Sequence, residues 1–180
     1  MSRHSSTLLS FWHTIVIMAA VGLLLGVILS LLRPLEYSST TRLLIIQQLG
    51  TVDAYTASRS AERVAEDITN VVYTSTFFQK VMASTSQIDQ DYFPGDEIRL
   101  RKMWGKTVDA IVTRGTGLLQ IIVYHQEAAQ AELIARALSS VIVTEGWQYT
   151  SGGSISIQLV DEPLNSRWPV RPNIPLNAFA

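Results

Sequence analysis

The amino-terminal part of the chain is one unbroken apolar run. From Leu8 to Leu32, 19 of 25 residues are apolar, and no Asp, Glu, Lys or Arg stands between Arg3 and Arg33. As a helix, the 23 residues of segment 10–32 (SFWHTIVIMAAVGLLLGVILSLL) would rise about 35 Å, enough to cross a bilayer with some tilt. A cleaved signal peptide would have a shorter apolar core and a small-x-small site. This run ends instead in Leu-Leu-Arg-Pro, and so reads as an uncleaved anchor. Trp12 and His13 suit the headgroup level near its start. Arg3 and Arg33 flank it almost evenly. The expected orientation leaves residues 1–9 as a cytoplasmic tail and the bulk of the chain outside.

Beyond Arg33-Pro34, Tyr37–Gln48 (YSSTTRLLIIQQ) has a continuous apolar centre, Leu43 to Ile46, and predicts a strand buried on both faces. Ala61, Val64, Ala65, Ile68, Val71 and Val72 follow helical spacing and predict an amphipathic helix over 57–72. A shorter helix over 75–83 carries Phe77, Phe78 and Val81. The polar stretch 84–96, with Pro94-Gly95, reads as a surface connection. A charged helix over 97–104 follows. The period then changes to two. Val108, Ala110 and Val112 alternate with Asp109, Ile111 and Thr113; 114–117 is a Gly-containing turn; 118–124 (LLQIIVY) is strongly β-prone. Together they predict a hairpin. The helix over 127–147 places Ala128, Ala131, Ile134, Ala135, Leu138, Val141 and Ile142 on one face. After Ser-Gly-Gly-Ser, 154–161 alternates, with Ile155, Ile157 and Leu159 inward.

The order is β-α-β-β-α-β. It predicts an α+β fold, a ferredoxin-like sandwich preceded by one amino-terminal transmembrane helix. Both main helices should lie on one face of a four-stranded sheet. The expected core is Leu43, Ile45, Val64, Ile68, Ile121, Val123, Ile134, Leu138, Ile157 and Leu159. The extracytoplasmic domain would run over 35–162. In the remainder, 163–180, Pro163, Pro169, Pro172 and Pro175 impose a stiff, extended path back towards the membrane.

Composition narrows the function. The 180 residues include 14 Lys and Arg against 15 Asp and Glu, a net charge of −1, which excludes a strongly basic nucleic-acid binder. The apolar content excludes intrinsic disorder, and the lack of further spans excludes a polytopic transporter. With no cysteine, a disulfide scaffold and thiol chemistry are excluded, which fits an extracytoplasmic location.

Catalytic patterns are missing too. Gly105-Lys106-Thr107 resembles the end of a phosphate-binding loop, but Leu100 stands where the first glycine is needed. Gly115-Thr116-Gly117 reads as a hairpin turn. His4, His13 and His125 lack metal-site spacing, and His125 reads as a polar strand terminus. The acidic neighbours Glu66-Asp67, Asp96-Glu97 and Asp161-Glu162 point apart. Tyr73, Phe77, Phe78, Tyr92, Phe93 and Trp104 read as core lining or, second, as a subunit interface. Arg99, Arg101, Lys102 and Lys106 read as a solvated helix face. No enzyme, metal or cofactor is expected.

The sequence of features resembles the polysaccharide co-polymerases, the Wzz-type chain-length determinants, together with the related capsule tyrosine-kinase modulators. The likeness rests on the amino-terminal span, Tyr37-Ser-Ser-Thr-Thr-Arg-Leu-Leu-Ile, the strand at 118–124, the helix at 128–138, and Pro169-Val-Arg-Pro172-Asn173. In that family a P-x-x-P-N element immediately precedes a second transmembrane helix, so Pro169, Pro172 and Asn173 are the implied family motif. Here the chain ends about where that helix would begin, and reads as truncated or as a single-span relative. The long mid-domain helix of larger members is also missing. The resemblance implies a regulator of O-antigen, capsule or exopolysaccharide length or export in the inner (cytoplasmic) membrane. Its partners would be further copies of itself, the polymerase or export machinery and, as in compact members, a cytoplasmic tyrosine kinase. The rival reading is an anchored extracytoplasmic sensor or small-ligand-binding domain, which predicts a concave apolar pocket with convergent polar groups.

Overall fold

In the computed structural model the described residues are 12–31, 34–48, 53–149 and 154–172. They fall into two compact units. One holds the first helix and Pro169 onward, and the other is Glu36–Trp168.

In the first unit, α1 (Trp12–Leu31) is a 20-residue helix without a charged side chain. Its side chains from Trp12 to Leu25 are exposed, and the Trp12 and His13 rings lie 4.0 Å apart. Surroundings in α1 are described only as far as Gly26, roughly 22 Å of helix against a hydrocarbon layer of about 30 Å. Among the described residues no helix is long and apolar enough to cross a membrane. The expected span of 10–32 lies partly outside them, and residues 1–9, expected as a cytoplasmic tail, and Asn173 lie wholly outside. Pro169 and Pro172 are half-buried.

The second unit is α+β. Its sheet has four antiparallel strands in the order β2-β3-β1-β4: β1 (Tyr37–Gln48), β2 (Val108–Val112), β3 (Leu118–His125) and β4 (Ser154–Asn165). Ser39, Thr41, Leu43 and Ile45 of β1 are buried, as are Leu119, Ile121, Val123 and His125 of β3. The residues between them are half-buried or exposed. Only one face is thus covered, and the expectation that Leu43 to Ile46 would be buried on both faces fails. Leu44 is half-buried and Ile46 exposed, because no described element packs over them.

The covering layer is α2 (Ala54–Val72) and α5 (Ala128–Glu145), both packed on β1. Asp53 Oδ1 accepts the Thr56 N–H at 2.7 Å, which starts α2 three residues earlier than the apolar spacing suggested. Two shorter helices fill one side: α3 (Ser75–Ser84), capped by Thr74, and α4 (Glu97–Thr107), capped by Asp96. Phe77, Phe78, Phe93 and Trp104 are buried among them, as core lining. A single 3-10 turn, Gly146–Tyr149, ends α5.

Eight of the ten expected core residues are buried; Ile157 is half-buried and Leu159 is 43 % exposed. Leu159 is the correction. It pairs with buried Leu43 and so shares its face, but β4 is an edge strand with a neighbour on one side only, and the alternation is interrupted just beyond this pair, where the register on β1 shifts twice between Leu43 and Thr40. The strand also continues past 161, through Pro163 to Asn165. An edge position tolerates proline because its missing N–H need not bond a neighbour. The compact unit consequently reaches Trp168, beyond the boundary expected at 162.

Candidate functional site

The uncovered sheet face carries a cluster of polar side chains from several separate elements. Where β1 begins and β4 ends, Ser38, Thr40, Arg42, Gln120, Asp161, Glu162, Leu164, Asn165 and Ser166 line a shallow groove of about 700 Å³. Register builds it. Ser166 N–H donates to Ser38 O at 2.7 Å, and Ser38 N–H donates to Ser166 Oγ at 3.0 Å, which extends the β1–β4 pairing past the strand end. At the register shift, Thr41 Oγ1 donates to Asp161 O at 2.7 Å. Arg42 reaches across to Asp161 at 2.9 Å, both half-exposed, so the pair contributes little stability. On the side towards α5, Asn165 Nδ2 donates to Glu132 Oε2 at 2.7 Å, and Arg136 lies between Glu132 and Glu162. Asn165 Oδ1 and, opposite it in the register, Ser39 Oγ are buried without a hydrogen-bond partner.

These groups can hold a polar surface through hydroxyl, amide and ion-pair contacts. They do not assemble a nucleophile with a base, and the main apolar side chain on the wall is Leu164. Among the described residues no three potential metal ligands converge.

Beneath the same end of the sheet lies His125. It is buried; its Nδ1 accepts the Glu127 N–H at 3.0 Å, and its ring stands 4.1 Å from that of Tyr92. Burial pushes its pKa below the ordinary value, against the opposing charges of Glu127, Asp89 and Glu36. The Tyr92 hydroxyl is pushed up, first by burial and then by Glu36. His125 thus works as a strand terminus that holds the start of α5. Tyr92 continues into edge-to-face contacts with Phe93 (5.3 Å), Phe78 (5.0 Å from Phe93) and Trp104 (5.1 Å from Phe78). Trp104 Nε1 donates to Val72 O at 2.7 Å.

The remaining sequence candidates disperse. Gly105, Lys106 and Thr107 form the last turn of α4, leading straight into β2. Gly115, at φ +72°, makes the hairpin turn, and a Cβ on Gly117 would collide with Ile45 O. Arg101 pairs with Glu97 at 2.7 Å, and Arg99 lies 4.0 Å from Asp96, on an exposed flank. Pro169 and Pro172 fall in the other unit.

One polar anchor was not foreseen. Glu62 is buried at the flank of α2, its carboxyl held below the usual range first by the Gly115 N–H and then by Arg59. With Ser58, whose Oγ donates to Gly115 O at 2.6 Å, it clamps the hairpin turn onto α2. Nothing in the helix spacing distinguishes this glutamate from its solvated neighbours, since the turn that buries it lies more than fifty residues along the chain. No protein-family model matches this sequence, and no curated protein matches it.

Proposed function

We propose that this chain is a membrane-anchored, non-enzymatic regulator of the length or export of a cell-surface polysaccharide. It acts by assembling with further copies beside the polymerase or export machinery in the cytoplasmic membrane, its main domain outside. A cytoplasmic tyrosine kinase is the further partner that the resemblance implies.

The observation that carries this reading is the order of features. An uncharged apolar helix, Trp12–Leu31, leads within a few residues into β1 of an α+β domain, and Pro169 and Pro172 follow that domain. The strand order β2-β3-β1-β4, with β1 and β3 central and two helices on one face, supports a split βαβ, ferredoxin-like sandwich. For the span, all 20 residues of α1 would rise about 30 Å. Ile17 at 61 % and Met18 at 69 % exposure are among the apolar side chains that lipid would cover and water would not. The shallow, polar groove on the open sheet favours work through partners over turnover.

Deleting the gene tests the function. Surface glycan run on a gel should change in modal length or in amount, and complementation should restore it. An unchanged profile, with the complementing copy expressed, would overturn the proposal in favour of the anchored sensor.

A further inference from the structure

We infer that the β4 end of the sheet is a lipid-docking rim, with Trp168 and Leu164 seated in the headgroup layer of the membrane that α1 enters. This rests on reading α1 as a membrane span.

Two tryptophans of the second unit are strongly exposed, Trp147 at 61 % and Trp168 at 73 %. They lie at opposite ends of the sheet. Trp147 follows α5, beside Gly146, which sits against Ile157, and Ile157 pairs with Ile45 in the far half of β1. Trp168 follows Ser166, which is bonded to Ser38 at the near end of β1. Along β1 the seven residue steps from Ser38 to Ile45 separate these two anchor points by roughly 23 Å.

Only the near end is tied to α1. Four residues, 32–35, join Leu31 to Glu36, so covalent geometry alone keeps Glu36 within about 18 Å of the helix end, whatever the arrangement of the two units. A span that ends at the headgroups therefore delivers β1, and with it Ser166 and Trp168, to the membrane surface. The side chains there suit it. Trp168 is amphipathic, Leu164 is 76 % exposed, and the exposed Arg167 next to Trp168 offers a cation to phosphate headgroups. Asp161 and Glu162, which would be repelled by anionic lipid, are turned to Arg42 and Arg136. Water leaves two large apolar side chains uncovered within five residues; the interface covers both.

The absence of cysteine makes the test direct. Single cysteines at Leu164, Trp168, Trp147 and Ala20 of the full chain are labelled with an environment-sensitive fluorophore. Each variant is reconstituted into phosphatidylcholine vesicles containing phosphatidylglycerol and either a headgroup or a mid-chain nitroxide lipid. Labels at 164 and 168 should be quenched several-fold more by the headgroup nitroxide than the label at 147, and the label at 20 by the mid-chain nitroxide. Trp168→Ser should reduce the quenching at 164. If 20 is quenched but 164 and 168 behave like 147, the docking rim is refuted while the span stands. If 20 is not quenched, the span fails and the rim with it. Cross-linking between cysteines at 168 of two copies, without lipid quenching, would also overturn the proposal, because the surface would then be covered by protein.

Discussion

Trp104 tests the packing of the helical side layer with a single atom. Its Nε1–H donates to Val72 O at 2.7 Å, and both residues are buried. Val72 is the last residue of α2, so its carbonyl has no donor further along the helix. In Trp104→Phe the ring contacts to Phe78 and Phe93 largely persist, but that carbonyl loses its partner away from water. An unpaired buried acceptor costs about 1–3 kcal/mol. The smaller ring also gives up some packing, so a total of about 2–3 kcal/mol is expected. For a domain of this size, each kcal/mol moves the melting temperature by roughly 3–5 °C, which gives a fall of about 6–15 °C.

Trp147→Phe is the matched control. Its Nε1 also donates to a helix carbonyl, Thr144 O at 3.0 Å, but at 61 % exposure water replaces the bond. Surface substitutions of this kind change stability by less than about 0.5 kcal/mol. The assay is far-UV circular dichroism of the full chain in detergent, which does not depend on tryptophan emission. If Trp104→Phe melts within the control's range, the bond and the burial argued from it are wrong.

Three further outcomes follow from particular contacts. Leu138 is fully buried on α5, so Leu138→Asp should abolish a cooperative transition, since a buried unpaired charge costs several kcal/mol; a parent-like melt would refute the packing of α5 on the sheet. Gly117→Ala should force β1 and β3 apart where Ile45 N–H donates to Gly117 O, and so speed hydrogen exchange at Ile45; Gly95→Ala, with nothing within 4 Å, should not. His125 has its pKa below the ordinary 6.5, so between those two values the unfolded chain takes up a proton that the folded chain refuses. Stability should therefore fall as pH drops through about 6.5 and stop falling through this group below the folded value, and the melting-temperature step between pH 7.5 and 5.5 should shrink in His125→Gln.

The legible part of this fold is what local period encodes. The apolar stripe of α5 has a single solution once one face is covered, and from Ala131 to Ile142 its residues are buried as read, as are Ile121 and Val123 of the β-prone run that forms β3. Strand β4 reads just as cleanly, yet Leu159 is exposed. Period specifies which residues share a face of a strand, but not how far the covering layer reaches over it, and an edge strand has a neighbour on one side only. Leu159 stands opposite buried Leu43 and shares its face, yet at the open edge of the sheet it is 43 % exposed, and the two register shifts just beyond it carry the strand on through Pro163. The candidate groove is a product of those same shifts. Arg42 meets Asp161, and Ser38 meets Ser166, across more than a hundred residues, so no spacing rule could bring them together. Glu62 was hidden for the same reason. The two most exposed large side chains of the second unit's carboxyl-terminal end, Leu164 and Trp168, belong to this least constrained edge. Core packing there has the weakest hold on sequence, which leaves those positions open to selection by whatever lies outside the domain.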